Sequence, residues 1–232
     1  MKISIIIPVF NEEKTVISVL KKINLEKKKY KKIHFEIIVI DDCSTDKSFF
    51  LLKKERSLYD KFFSFKKNLG KGAAIKKGLE LSTGNYVLFQ DADSEYDITD
   101  YNKIFYPIIH HSADIVMGTR LKGSPVTRCF NFLNFLGNKL ITFIFDLLHD
   151  STLSDIYSCY LIFRKKLLNE KELKYMGFHG QAEILTKIVP KAKRVYEVPI
   201  NYYGRSSEEG KKIRFYHIFS IFYVIVINRL IR

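Results

Sequence analysis

Apolar and polar positions along the first half of the chain fall into blocks that alternate between strand and helix patterns. Ile3 to Val9 is a β-branched run, continuous in apolar character as central parallel strands are. Asn11-Glu12-Glu13 opens a predicted helix to about Lys28, with Val16, Val19, Leu20 and Ile23 at helical spacing. Phe35 to Ile40 reads as a second buried strand that ends in Asp41-Asp42, and Ser44-Thr45-Asp46 supplies an N-cap signal for the next helix. Phe62 to Phe65 is a short third strand. Gly70-Lys71-Gly72 precedes a helix through Leu81, and Thr83-Gly84-Asn85 is the turn into a strand from Tyr86 to Gln90. A helix from about Asp100 to His111 leads to a strand from Ile115 to Gly118. This alternation predicts an α/β fold with an open, Rossmann-like, mainly parallel sheet flanked by helices.

The second half is patterned differently. Phe130 to Leu148 is mostly apolar, and its polar exceptions Asn131, Asn134, Asn138, Thr142 and Asp146 recur every three or four residues, so they form one narrow helical stripe. A helix apolar over the rest of its surface suits either burial or a place in a membrane interface. The C-terminal stretch Ile213 to Arg232 is similar. Its apolar run from Ile218 through Ile227, broken by Ser220, falls short of the ~20 residues that a bilayer span needs, and it reads as an interfacial amphipathic helix. The expected organisation is a catalytic domain over 1–212, including the helix 130–148, followed by a membrane-associated helix over 213–232. No internal repeat, Pro-rich linker or low-complexity block interrupts it.

Composition adds two constraints. Lys+Arg 39 against Asp+Glu 25 gives a net charge of +14, which implies anionic partners such as phosphorylated substrates, nucleic acid or an anionic membrane surface. The basic residues scatter along the chain rather than gathering with interleaved aromatics, which argues against a nucleic-acid partner. The run Lys27 to Lys32 reads as a solvated helix end. Cys43, Cys129 and Cys159 form no C-x-x-C pair, so neither a zinc knuckle nor a disulfide framework is indicated, and a reducing compartment is the simplest reading. The apolar N-terminus is too short for a signal peptide and continues into Asn11-Glu12-Glu13, so it is read as the first strand.

The candidate chemistry centres on Asp91-Ala92-Asp93, directly after the apolar run Tyr86 to Phe89. Residues two apart on an extended segment point to one side, so both carboxylates can reach one hard cation, which keeps open positions for substrate phosphates. Open α/β sheets bind ligands beyond the carboxyl ends of their strands. Acids gather at those ends: Glu12 after the first strand, Asp41-Asp42 after the second, and Asp91 and Asp93 after the fourth. Grouped acids repel unless a cation or hydrogen-bond donors offset them, which points to a metal site.

Several of these segments resemble a known family. Ile6-Ile7-Pro8-Val9-Phe10-Asn11-Glu12-Glu13, Ile38 to Asp46 with its D-D-x-S-x-D pattern, Asn68 to Ala74, Asp91-Ala92-Asp93 and Asp114 to Arg120 look like the ordered motifs of the inverting family 2 glycosyltransferases of GT-A (nucleotide-diphospho-sugar transferase) fold. Leu153-Ser154-Asp155 with Ser158 to Arg164, Glu183-Ile184, and Glu197 to Ile200 followed by Arg205 and Glu208 to Ile213 resemble the dolichyl-phosphate mannose synthase-like, polyprenyl-phosphate group within it.

The resemblance implies transfer of a hexose from a GDP- or UDP-sugar to a polyprenyl phosphate of dolichyl or undecaprenyl type. The alternative is a glycan or other soluble acceptor in cell-envelope polysaccharide synthesis. It implies Mg2+ or Mn2+ on Asp91, Asp93 and Glu95. Pro8, Phe10, Glu12, Val39, Asp41, Asp42 and Ala92 would frame the nucleotide, and Arg120, Arg205 and Lys211 would meet its phosphates. Asp93, Asp155 and Arg120 would carry the catalytic work, with Asp155 orienting donor or acceptor and Glu183 on the acceptor side. Gly70 and Gly72 are read as turn glycines, because the segment lacks the Lys-Ser/Thr of a P-loop. Cys43 and Cys159 are read as inert small hydrophobes. The sequence stops at Arg232 without the multi-helix extension of many relatives. That leaves peripheral attachment at the cytoplasmic membrane face, through 130–148, 213–231 and the basic surface, as the expectation.

Overall fold

The computed structural model describes residues 1–123, 132–177, 179–204 and 217–230, and the side chains of 217–219 are left aside. Arg205, Lys211 and Cys129 lie outside the described residues, as does the 212/213 boundary.

Seven strands form one sheet in the order β3-β2-β1-β4-β6-β5-β7. They are β1 (Lys2–Val9), β2 (His34–Asp41), β3 (Lys61–Ser64), β4 (Tyr86–Phe89), β5 (Ile115–Thr119), β6 (Leu161–Arg164) and β7 (Val195–Pro199). The helices are α1 (Val16–Glu26), α2 (Ser48–Lys54), α3 (Lys71–Leu81), α4 (Tyr101–His111), α5 (Phe132–His149), α6 (Gly180–Ile188) and α7 (His217–Leu230). The β-branched runs of β1 and β2 lie at the sheet centre with Ile5, Ile6, Ile7, Ile37, Val39 and Ile40 fully buried.

The sheet is parallel except for β6, which runs antiparallel between β4 and β5. An apolar run carries no sign of its direction, so periodicity alone does not reveal this reversal. Its effect is decisive for the site. The residues that lead into β6 start from the same rim where β4 and β5 end, so 151–160 lie beside Asp91 and Arg120.

Helix α1 begins five residues later than its pattern predicts. Asn11 is left-handed at φ 54, and side chains from the loop after β2 capture the amides that a first helical turn would use. Ser44 Oγ accepts from the Asn11 N–H (3.0 Å), Ser48 Oγ from Glu12 (2.8 Å) and Asp46 from Glu13 (3.0 Å). Asn11 and Glu13 return the favour, accepting from the Thr45 and Lys47 amides at 2.8 and 2.9 Å.

Helix α5 turns Thr142 and Asp146 of its polar stripe inward, with Asn134 and Asn138 half-buried and Asn131 outside the described residues. Thr142 is buried, and its Oγ1 accepts from the Ile156 N–H, while Asp146 accepts from Ser151 Oγ (2.5 Å) and the Leu153 N–H. The outward face is Phe132, Leu133, Leu136, Leu140, Phe143 and Leu147, all at least half exposed. Helix α7 packs against α5 and α6 through Ile221, Val224 and Ile225 and leaves Phe222, Tyr223 and Leu230 exposed. Among the described residues, no helix is long and apolar enough to cross a membrane.

Candidate active site

The rim beyond β1, β2, β4 and β5 is built outward from buried carboxylates. Asp41 ends β2 at 1% exposure, and its oxygens accept from Ser64 Oγ (2.8 Å) and the Ser44 N–H (3.3 Å). Asp42 accepts the Leu69 and Gly70 amides at 2.8 and 2.7 Å. Burial pushes the Asp42 carboxyl up, and those two amide bonds work against the rise. Two of the grouped acids are therefore satisfied by donors, with no cation required.

The loop that Asp42 holds delivers α3. A Cβ on Gly70 would stand 2.7 Å from the Met176 carbonyl oxygen, and one on Gly72 would stand 2.6 Å from that of Tyr175. The Ala73 N–H donates to Met176 O at 3.0 Å. The two glycines therefore admit a crossing backbone, 175–176. That crossing segment is held in turn by Glu183 on α6, which is fully buried and accepts the Lys174 and Tyr175 amides at 3.0 Å. Glu183 thus orders backbone.

Lys71 opens α3, where a cation opposes the helix dipole, and its ammonium is compensated by Asp91. Nζ stands 2.5 Å from Asp91 Oδ1 and 3.7 Å from Cys159 Sγ. Burial disfavours the charged ammonium, but Asp91 and the neighbouring Cys159 and Asp93 outweigh it and hold the Lys71 pKa above its ordinary value. Burial pushes the Cys159 thiol well up, consistent with an inert small side chain. Two residues on, Asp93 is 9% exposed and accepts the Glu95 N–H at 3.2 Å. Glu95 in turn accepts from the Tyr202 hydroxyl at 2.8 Å, and its carbonyl accepts the Tyr203 N–H. Burial and then Glu95 raise the Tyr202 pKa against the pull of Arg120, whose guanidinium lies 5.0 Å from the Tyr202 ring centroid.

Arg120, directly after β5, grips Asp155 with Nε and Nη2 at 2.7 and 2.8 Å, and its own N–H donates to the same carboxylate at 3.2 Å. Asp155 has no exposed surface. Burial opposes the guanidinium charge, and Asp155 more than restores it.

The structure brings Asp91, Asp93, Glu95, Arg120 and Asp155 to one rim, with Pro8, Phe10, Glu12 and Asp41 on the neighbouring strand ends. Val39, Asp41, Ala92 and Asp42 are 0%, 1%, 2% and 3% exposed, so little of their side chains faces the rim. The structure corrects the three-acid metal cage. Among the described residues no three His, Cys, Asp or Glu side chains stand close enough together to hold a metal. Asp91 is drawn to Lys71 and Glu95 to Tyr202. A hard cation that takes one or two carboxylates and fills its shell with phosphates and water needs no such cage, and Asp91 with Asp93 fits that mode. Lys71 and Tyr202 were given no role from sequence. A lysine at the first position of a helix was the available signal for Lys71; Tyr202 comes to Glu95 only through tertiary contact.

Comparison with known proteins agrees with this architecture. The family model for glycosyl transferase family 2 matches residues 4–170. A dolichyl-phosphate beta-glucosyltransferase of Dictyostelium discoideum is 36% identical over 129 residues, 51% of this chain and 39% of that protein. A dolichol-phosphate mannosyltransferase of Pyrococcus furiosus is 28% identical over 215 residues, 91% of this chain and 59% of that one. The chain thus spans less than two thirds of either relative. Among solved structures, S. aureus TarS 1-349 in complex with UDP-GlcNAc superposes with a TM-score of 0.63 at 23% identity, over 98% of this chain and 67% of that one. Glucosyl-3-phosphoglycerate synthase from Mycobacterium tuberculosis, in complex with Mn2+, UDP and phosphoglyceric acid, does so at 0.66 and 18% identity, over 99% and 77%. With the sheet order, the acid-bearing rim and the match over most of its length, the chain belongs to glycosyl transferase family 2 and has the GT-A fold.

Proposed function

We propose that this chain transfers a hexose from a nucleotide-diphospho-sugar to a polyprenyl phosphate at the cytoplasmic surface of a membrane. The observation that carries the reading is a rim of pre-set cations and carboxylates, Lys71–Asp91 and Arg120–Asp155, on the same fold as the inverted helix α5 with its outward apolar face. The two polyprenyl-phosphate transferases among the relatives support it.

In this reading Pro8, Phe10, Glu12 and Asp41 frame the nucleoside. Arg120, with Arg205 and Lys211 from outside the described residues, meets the phosphates; arginine suits bidentate phosphate contact and lysine acts as a point charge. Asp91 and Asp93 would hold Mg2+ or Mn2+. That metal would offset the charge of the leaving diphosphate as a Lewis acid. Asp155 orients Arg120 toward that charge. The acceptor phosphate is already ionised near neutral pH, so its oxygen attacks the anomeric carbon from the face opposite the leaving group. The bond to the diphosphate breaks as the new one forms, and the configuration inverts without a strong general base. None of the proposed site residues is a histidine. The outer faces of α5 and α7 would lie on the lipid and place the acceptor's hydrocarbon beside the rim.

The test is to incubate purified protein with a panel of nucleotide sugars and a short polyprenyl phosphate, with and without chelator, and to identify the lipid product by mass. Full metal-dependent transfer by Asp93→Ala overturns the reading of the metal. Transfer to a water-soluble glycan alone, with no protein floating with vesicles, overturns the lipid acceptor.

A further inference from the structure

We propose that Glu197 is a positioning residue that sets Asp155, and through it Arg120, by holding Ser154. This rests on the role proposed for Arg120 and Asp155. Glu197 sits on β7, paired in register with Met117 of β5, two residues before Thr119. Its Oε1 accepts the Ser154 N–H and its Oε2 accepts the Ser154 hydroxyl, both at 2.7 Å. The Ser154 hydroxyl also stands 2.7 Å from Thr119 Oγ1. Ser154 has one hydroxyl proton, and an ionised carboxylate only accepts. The proton of Ser154 therefore goes to Glu197, and Thr119 donates to Ser154. Thr119 Oγ1 is itself the acceptor for the Leu121 N–H at 3.1 Å.

The donors thus run in one direction, Leu121 to Thr119 to Ser154 to Glu197. This directed chain brackets the grip of Arg120 on Asp155, because Thr119 precedes Arg120 and Ser154 precedes Asp155. The backbone just before Asp155 is fixed at both its amide and its side chain by one carboxylate. Lys122 stands 3.6 Å from that carboxylate and is largely exposed, a weak partner beside the two serine bonds.

Another acid bonded to this loop, Asp146 on α5, acts farther upstream on Ser151 and Leu153. Glu197 is therefore the acid bonded to the residue adjoining Asp155. A glutamine at 197 that keeps its oxygen on the Ser154 N–H turns its NH2 toward the Ser154 hydroxyl, which must then reverse and donate to Thr119, so Thr119 loses its acceptor and the order of donors is lost.

Glu197→Gln is expected to lower kcat about 10-fold or more, the cost typical of losing an outer partner that orients a reacting group, with donor KM within about twofold of wild type. Ser154→Ala, which removes only the hydroxyl bond, gives a smaller fall. In the double variant the two losses do not multiply, because both act through one residue. Amide exchange at Arg120 and Asp155 should quicken in Glu197→Gln, while Val116 in the sheet interior keeps its protection. Wild-type kcat in Glu197→Gln, or multiplying losses, overturns the proposal. If the wild-type protein transfers no sugar, the proposed function fails; unchanged exchange at Arg120 then overturns the positioning role as well, and quickened exchange sustains it. Should Glu197→Gln not fold, Ser154→Ala carries the same exchange and kcat readouts.

Discussion

Replacing Arg120 by Met and Asp155 by Leu together separates what this pair does for the fold from what it does at the rim. The Asp155 side chain has no exposed surface and that of Arg120 is 14% exposed. Asp155→Asn alone leaves a buried guanidinium without a counter-charge, which costs about 3–5 kcal/mol. Against a total stability of about 5–15 kcal/mol, that single variant is marginal. At about 2–4 °C per kcal/mol for a chain of this size, its Tm falls by roughly 6–20 °C. The double variant removes both charges together with their desolvation, and apolar replacement of a buried pair is commonly neutral or stabilising.

Urea unfolding followed by circular dichroism on wild type, both single variants and the double variant gives the stabilities. Transfer of labelled sugar gives the rates. The double variant leaves the Arg120 N–H without its Asp155 acceptor, so it is expected to unfold within about 3 kcal/mol of wild type, yet to lose at least about 100-fold in kcat, the scale of losing a donor aimed at developing charge. A double variant with wild-type kcat refutes any part for Arg120 in handling the donor. An Asp155→Asn protein as stable as wild type refutes the reading of a buried, mutually dependent pair.

Lys71→Met removes the ammonium beside Asp91; loss of a charged hydrogen-bonding partner for a diphosphate, about 1.5–3 kcal/mol, should raise donor KM about 10- to 100-fold, and unchanged donor KM rejects the contact. Glu36 lies far from the rim and tests the electrostatics of the fold: burial pushes its carboxyl up, but bonds from Ser4, Thr83 and Lys61 outweigh this and hold it down from 4.5 to about 2. That fall is worth about 3 kcal/mol. Because the folded value is depressed, the contribution is present above about 4.5 and disappears as pH falls towards 2. Glu36→Gln should therefore be destabilised near neutral pH and converge with wild type near pH 2, and parallel stability curves would contradict it. Gly72→Ala forces a Cβ to 2.6 Å from a backbone carbonyl; it should lose about 1–3 kcal/mol in urea unfolding along with activity, and a wild-type midpoint would deny the close crossing.

Periodicity sufficed for the strands from β1 to β5, because short apolar, β-branched or aromatic runs between turn residues admit few other structures. It did not suffice where tertiary partners decide. The first turn of α1 is cancelled by Ser44, Asp46 and Ser48, more than thirty residues away. Strand β6, four residues long, gives no hint of its direction, so the meeting of Asp155 with Arg120 could be supposed only from motif order. The polar stripe of α5 was visible as a stripe, but nothing in the sequence said that its Thr142 and Asp146 face inward. The partners that reverse its sense, the Ser151 hydroxyl and the Leu153 and Ile156 amides, belong to the loop that follows the helix. The bonds of Glu183 to the Lys174 and Tyr175 amides leave no mark on residue type.

Those hidden partners change what the clustered acids mean. A row of carboxylates at strand ends first suggests one negative pocket that awaits a metal. In the folded chain the row divides by partner. Asp42 and Glu183 bind backbone amides and fix the loops on which Lys71 rides, whereas Asp91 and Asp155 each hold a cation in place. A cation clamped by its own carboxylate cannot reorient freely, so little reorganisation is left for the moment when charge develops on a leaving diphosphate. The net charge of +14 therefore says little about the site itself. Scattered surface lysines raise the local concentration of anions, while in the proposed function selection among them belongs to the clamped cations at the rim, whose charges carboxylates nearly balance. A donor that presents its diphosphate there must exchange contacts with Asp91 and Asp155 rather than fall into an empty positive well. In the proposed function that exchange favours a ligand whose phosphates have the geometry to take over both cations at once.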